Sequence, residues 1–237
     1  MIIFWRLVLA HFLADFTLQF DIVNRLKRKG ILGMIIHCLT HFIVSIALTY
    51  NYLGEIWIDW GFIRINGWWV MLIILVFHFV IDEVRAYLLK NLNVKDNTIC
   101  FLTDQFLHLL VLFMVSPIYN LNEVFFGNEK WIIIITSFVV VTHVTTVLIY
   151  FIEKDMAEAM FPTFDEKYFL IFERMVLWGF FFVSGYWWIL FMFAWAFQMF
   201  YIKYKRIIDL SYANVIISIL VTSIFGLMAR FVYYGNF

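Results

Sequence analysis

The segment at 68–89, WWVMLIILVFHFVIDEVRAYLL, decides the class of fold. It is long enough to cross a bilayer, since a helix needs about 20 mostly apolar residues to span the hydrocarbon core. Among its ionisable residues, His78 and Asp82 lie four positions apart on one helical face. The rest of the chain repeats this pattern. Of 237 residues, 65% are hydrophobic and 14% are charged, and Phe alone occurs 29 times. A soluble domain holds roughly 45–50% apolar and about 25% charged residues, and a globule of this size could not hide the excess. The composition therefore predicts an all-α, polytopic transmembrane bundle and excludes disorder, collagen and a disulfide scaffold. Net charge is zero, so no bulk field points to nucleic acid.

Eight spans are predicted, at 2–21, 31–52, 68–89, 99–119, 131–152, 169–184, 187–202 and 212–234. Only Ser184 and Gly185 separate the sixth from the seventh. That pair reads either as a tight hairpin or as one bent segment, which would leave seven spans. The first span is too long and too polar for a cleavable signal peptide. With two prolines and ten glycines spread through the chain, no linker or soluble domain stands out. One transmembrane domain is expected over 1–237, with helices 2–119 bearing the polar residues and helices 131–234 supporting them. Basic residues gather after span one (Arg25, Lys27, Arg28, Lys29), span three (Arg85, Lys90, Lys95) and span seven (Lys203, Lys205, Arg206). The positive-inside rule then places both termini outside the cytoplasm. Trp57, Trp60, Trp68, Trp69, Trp131, Trp187 and Trp188 fit an interfacial belt on the opposite side. Arg85 and Lys90 are expected to snorkel.

Polar residues inside the spans are not scattered. Span one holds His11, Asp15 and Gln19, and span two holds His37 and His41. Span three holds His78 and Asp82, and span four holds Asp104, Gln105 and His108. The histidines and carboxylates are paired at i, i+4, so each set stacks on one face. Asp within a span costs about 2.5–3.5 kcal/mol at the helix centre, and such residues mark function by default. At a rise of about 1.5 Å per residue, all four sets fall in one layer of the cytoplasmic half. Imidazoles and carboxylates converging from four helices describe a metal site within a bundle. Zinc, manganese and iron all suit such donors. The expected metal ligands are His11, Asp15, His37, His41, His78 and Asp82. Asp104 and His108 are expected as base or orienting partners. Cys38 and Cys100 read as core packing, outside the cluster and without a disulfide. The same polar sets also admit a satisfied hydrogen-bond network that glues helices together.

Outside the cluster, His143 with Thr142, Thr145 and Thr146 reads equally as a further ligand or as packing. Glu173 and Arg174 lie near the cytoplasmic face. Arg174 reads equally as a binder of an anionic head group or phosphate and as part of an internal ion pair or a snorkelling side chain.

The stretches HFLADFTLQ at 11–19, HCLTH at 37–41, HFVID at 78–82 and FLTDQFLH at 101–108 resemble a family of bacterial integral membrane proteins catalogued as domain of unknown function 3307. FERMVLWGFFFVSG at 172–185 resembles that family's C-terminal Glu-Arg segment, so the likeness runs over about residues 5–200. Where the family usually has Lys after its span-three Asp, this chain has Glu83, Val84 and Arg85. The likeness implies a bacterial cytoplasmic membrane location. More loosely, the His/Asp pattern is similar to membrane-bound metal-dependent hydrolases, including, in chemistry only, the alkaline ceramidase and adiponectin-receptor group.

Three functions fit these residues. The first is a metal-dependent hydrolase acting on a lipid or lipid-linked substrate at the cytoplasmic leaflet, with Asp104 or His108 as base and Arg174 facing the developing anion. The second is a transporter or channel for protons or divalent metal, although the polar residues occupy one half of the membrane only. The third is a non-enzymatic membrane partner stapled by a structural metal. A homo-oligomer is compatible with all three.

Overall fold

The protein is described by a computed structural model covering residues 1–18, 30–117, 129–157, 161, 164–205 and 211–235. Gln19, Asp21, Arg206 and the basic loop at 25–29 fall outside the described residues. Among the described residues, five helices are long and apolar enough to cross a membrane: Ile31–Tyr52, Gly67–Asn91, Thr98–Val115, Lys130–Ala157 and Tyr212–Tyr234. The chain is therefore a helical, integral membrane protein. It divides into two compact units, Met1–Ile132 and Ile133–Phe237.

The first unit begins with α1 (Ile2–Phe12), which continues into a π-helical turn at Leu13–Thr17. Then follow α2 (Ile31–Thr49), α3 (Gly67–Asn91) and α4 (Thr98–Val115). Each helix packs on the next and α4 returns to α1, which closes a four-helix ring. Local chemistry sets the ends. Asn66 caps α3 by accepting from the Trp69 amide, and Asn97 caps α4 by accepting from the Cys100 amide at 2.9 Å. Ser116 takes up extended backbone and Pro117 follows, so α4 stops there.

Between α2 and α3 lies a short antiparallel hairpin, β1 (Ile56–Asp59) and β2 (Arg64–Asn66). It departs from the all-α expectation. Its role is visible in the backbone: the amides of Gly67 and Trp68, which open α3, donate to the carbonyls of Glu55 (3.0 Å) and Leu53 (3.2 Å). Helix-start donors that have no partner inside the helix are thus satisfied. The hairpin also corrects the tryptophan belt. Trp57 is buried and its Nε1 donates to the Tyr52 carbonyl at 2.9 Å, while Trp60, Trp68 and Trp69 are exposed. A Cβ at position 67 would strike the Trp57 ring and the Leu53 backbone, which accounts for Gly67.

At the same end of α1, Arg6 donates to the Leu48 carbonyl at 2.6 Å and pairs with Glu129 at 2.6 Å. This ionisable residue, little more than one turn before the HFLAD stretch, ties α1, α2 and the segment before α5 together.

The second unit contains α5 (Lys130–Ala157, with a π-helical turn at Val140–Val144), α6 (Phe164–Phe180), α7 (Trp187–Tyr204) and α8 (Tyr212–Tyr234). Helices α5, α6 and α8 pack on one another, and α7 packs on α6 and α8. Leu170, Leu177, Trp195, Met199 and Val215 form its core. The ambiguous stretch at 169–202 is two helices. Gly185 has φ +63°, a left-handed turn that glycine adopts without strain. Arg230 of α8 donates to the carbonyls of Phe181, Val183 (both 2.7 Å) and Gly185 (2.8 Å). A single guanidinium thereby satisfies the loose carbonyls after α6.

Candidate metal centre

The i, i+4 pairs of the first unit meet in the middle of the four-helix ring. α2 presents His37 and His41, α3 presents His78 and Asp82, and α4 presents Asp104 and His108. His11 ends α1, and Asp15 sits in the π-helical turn that follows it. Such turns occur often at functional sites. All five histidines and Asp82 and Asp104 are buried.

The donor atoms converge closely. His37 Nε2 lies 3.3 Å from Asp15 Oδ1, 3.2 Å from Asp82 Oδ2 and 3.3 Å from His78 Nε2. His41 Nε2 lies 3.0 Å from the same Asp15 oxygen. His78 Nε2 lies 3.4 Å from Asp82 Oδ2, and His11 Nε2 lies 3.5 Å from Asp15 Oδ2. A ring nitrogen carries at most one hydrogen. His37 Nε2 therefore satisfies at most one of its three neighbours by donating. Two imidazole nitrogens at 3.3 Å also face each other, which a hydrogen bond explains only if one of the two carries the hydrogen and the other is bare. Donors on a tetrahedral zinc ion, at about 2.0–2.1 Å, are separated by about 3.3–3.4 Å. Within Asp15, His37, His41 and His78, the contacts at 3.0–3.3 Å lie close to that spacing. Asp15, His37, His41 and His78 each offer a ligand atom within 4.8 Å of the others, and so do Cys38, His78 and Asp82.

The second group corrects one expectation. Cys38 is part of the cluster. It lies one residue after His37 and three before His41. Counting only i, i+4 spacings passes over it, although the i, i+3 relation to His41 holds the clue.

Around this group sits a ring of polar partners. Gln105 Oε1 accepts from His11 Nε2 at 3.2 Å, and the Gln105 amide nitrogen donates to Asp15 (3.3 Å) and Asp104 (3.2 Å). His108 Nδ1 donates to the Asp104 carbonyl at 2.9 Å. That bond fixes the tautomer, since a carbonyl only accepts, and leaves Nε2 as a bare acceptor. His108 Nε2 is buried and has no hydrogen-bond partner among the described residues. A cavity of about 20 Å³ adjoins the cluster, enough for a water molecule. His11, His41, His78 and His108 line one side of it, and Leu7, Phe42, Met71 and Val111 are among its apolar walls.

Arg85 does not snorkel. Its guanidinium bridges Asp104 and Asp96 at 2.9 Å each, inward to the cluster and outward to the loop before α4. The cation next to the site is thus Arg85. Arg174, expected to face a developing anion, lies in the second unit and is fully buried. It donates to the carbonyls of Val141 (2.9 Å) and Thr142 (3.1 Å), to Thr146 Oγ1 and to Ser218 Oγ (3.5 Å). The π-helical turn in α5 frees those carbonyls from the regular ladder, and the guanidinium takes them up. No described carboxylate pairs with it, so Arg174 forms neither an internal ion pair nor a snorkelling contact. His143, in the same turn, contacts Thr142 Oγ1 at 2.9 Å through Nδ1.

The model of the family described as proteins of unknown function, DUF3307, matches residues 3–134. The chain belongs to the DUF3307 family. The match takes in every residue of the cluster and ends beside the boundary between the two units. The Glu173 and Arg174 segment lies beyond it, so the DUF3307 likeness is shorter than the sequence suggests. No curated protein and no solved structure matches the chain, and the looser likeness to membrane-bound metal-dependent hydrolases gains no support from them.

Proposed function

We propose that the first unit is a metal-dependent hydrolase embedded in the membrane, acting on a lipid or lipid-linked phosphate, ester or amide near the cytoplasmic leaflet. The observation that carries the metal is His37 Nε2, which faces three neighbours at 3.2–3.3 Å and has at most one hydrogen to give. In this reading Asp15, His37, His41 and His78 hold a divalent ion, zinc before manganese or iron. Asp82 and His11 complete or orient the set. A bound divalent ion supplies an acidified water and polarises a carbonyl or phosphoryl oxygen. His108, with its tautomer fixed and its Nε2 a bare acceptor on the cavity wall, is the residue placed to take a proton. Arg85 holds Asp104 in place and offers the positive charge nearest the site.

The same reading places the chain in a bacterial cytoplasmic membrane as eight spans, α1, α6 and α7 included, with both termini outside the cytoplasm and the cluster in the inner half. The first test is elemental mass spectrometry of the detergent-purified protein and of a His37→Ala/His41→Ala double variant. Near-stoichiometric zinc, manganese or iron that the variant loses is the expected result. Absence of metal from the purified protein, after reconstitution with divalent ions, refutes the centre. With metal present, turnover of lipid substrates in mixed micelles is expected to vanish in His108→Gln. Metal flux into liposomes without any turnover would replace the hydrolase by a transporter.

A further inference from the structure

Cys38 Sγ, a His78 ring nitrogen and an Asp82 carboxylate oxygen lie within 4.8 Å of one another. This group shares His78 with the set formed by Asp15, His37, His41 and His78, and His37 Nε2 lies 3.2 Å from Asp82 Oδ2. The two groups therefore make one continuous array of donors. We propose that Cys38 is a metal ligand, so that the centre is a mixed thiolate, imidazole and carboxylate site rather than a purely imidazole and carboxylate one.

The backbone of α2 delivers the sulfur to that position. At 100° per residue, His41 lies about 40° round the helix from His37, and Cys38 lies about 100° round. All three side chains leave α2 within one arc, toward the helix that carries His78 and Asp82. A buried cysteine is by itself an ordinary packing residue, and Cys38 is only 3% exposed. What separates it from one is its company. Packed as an apolar filler, the sulfur would strip water from the Asp82 carboxylate and return only a weak S–H donor. As a ligand, the same proximity is productive: the S–H bond gives up its proton, released toward solvent, as the sulfur–metal bond forms.

The donor chemistry then narrows the ion. Thiolate ligands favour zinc and other soft cations, whereas carboxylate-rich oxygen sites suit manganese and magnesium. Zinc is selected over manganese.

This inference rests on the metal-centre reading above, and cobalt separates the two. Detergent-purified protein, stripped with chelator, is titrated with Co²⁺ and followed by absorption. Visible ligand-field bands report that cobalt is held. A near-ultraviolet sulfur-to-cobalt charge-transfer band reports a thiolate ligand. The wild type is expected to show both. Cys100→Ser, in which Cys38 is the single remaining cysteine of the two, is expected to keep both, so the result does not depend on altering Cys38. Cys38→Ser is expected to keep the visible bands, lose the charge-transfer band and bind zinc about tenfold or more weakly. Zn²⁺ is expected to displace the cobalt and Mn²⁺ to leave it in place. Visible bands without charge transfer in Cys100→Ser would overturn the thiolate ligand while the metal centre stood. No cobalt absorption in any protein would overturn both.

Discussion

Arg85 joins a buried carboxylate to an exposed one, and that asymmetry has a measurable price. The Asp104 side chain is 5% exposed, against 33% for Asp96, and each accepts from Arg85 at 2.9 Å. Arg85→Met removes the charge and both bonds. Stranding a buried charge typically costs about 3–5 kcal/mol. Asp104 keeps its bond from the Gln105 amide at 3.2 Å, so the lower end, about 3 kcal/mol, applies here. At roughly 2–4 °C per kcal/mol for a chain of this length, the melting temperature should fall by about 6–12 °C. Asp96→Asn cuts the exposed half only and should cost about 0–1 kcal/mol, or at most a few degrees. Adding Asp104→Asn to Arg85→Met removes the stranded charge and should recover most of the loss. The assay is intrinsic tryptophan fluorescence during thermal unfolding in detergent, with size-exclusion chromatography to confirm a monodisperse start. Equal shifts for Arg85→Met and Asp96→Asn would refute the reasoning. So would a double variant less stable than Arg85→Met alone.

Three further outcomes are expected. Gly226→Ala puts a methyl into the Phe181 ring and should destabilise the second unit by about 1–3 kcal/mol, with partial relief from an added Phe181→Leu; a neutral effect in the same thermal assay would count against the packing described. Arg230→Met leaves the carbonyls of Phe181, Val183 and Gly185 without their charged donor; at about 1.5–3 kcal/mol per such bond it should open the α6–α7 turn, read as new limited-proteolysis cleavage within 181–186. Chelation should lower the melting temperature, and zinc at about 100 times its Kd should restore about 2.7 kcal/mol; a melt indifferent to both would speak against a resident ion.

The helical membrane class was legible because no soluble core accommodates such a composition. The cluster was legible for a narrower reason: i, i+4 spacing survives in any α-helix, so pairs such as His37 with His41 and His78 with Asp82 must share a face whatever the packing. What spacing cannot show is how far a long side chain reaches. Arg85 lies three residues after Asp82 and could extend to water or inward; the partner that decides it, Asp104, comes from another helix. Arg174 is the converse case. Its sequence neighbour Glu173 suggested a pair, yet its acceptors are carbonyls released by a backbone irregularity that no residue type announces. Trp57 looked interfacial because the hairpin that buries it is two short strands without a clear alternating pattern. A thiol in an apolar helix is most often filler, so residue type alone hides Cys38.

The π-helical turn at Leu13–Thr17 follows α1 and winds more widely than an α-helix, the Leu18 amide donating to the Leu13 carbonyl five residues back. It sets Asp15 in a different phase from α1. Removing one residue there, for instance Leu13, would let a regular helix run through and rotate everything on one side by about 100° against the other. Arg6, anchored to Leu48 and Glu129, holds the first phase, while Asp15, facing His37 and His41, holds the second. A regular helix could serve only one of those anchors at a time. The length of this helix is thus counted to the residue, and a deletion that barely changes its hydrophobicity should be less tolerated than many substitutions within it.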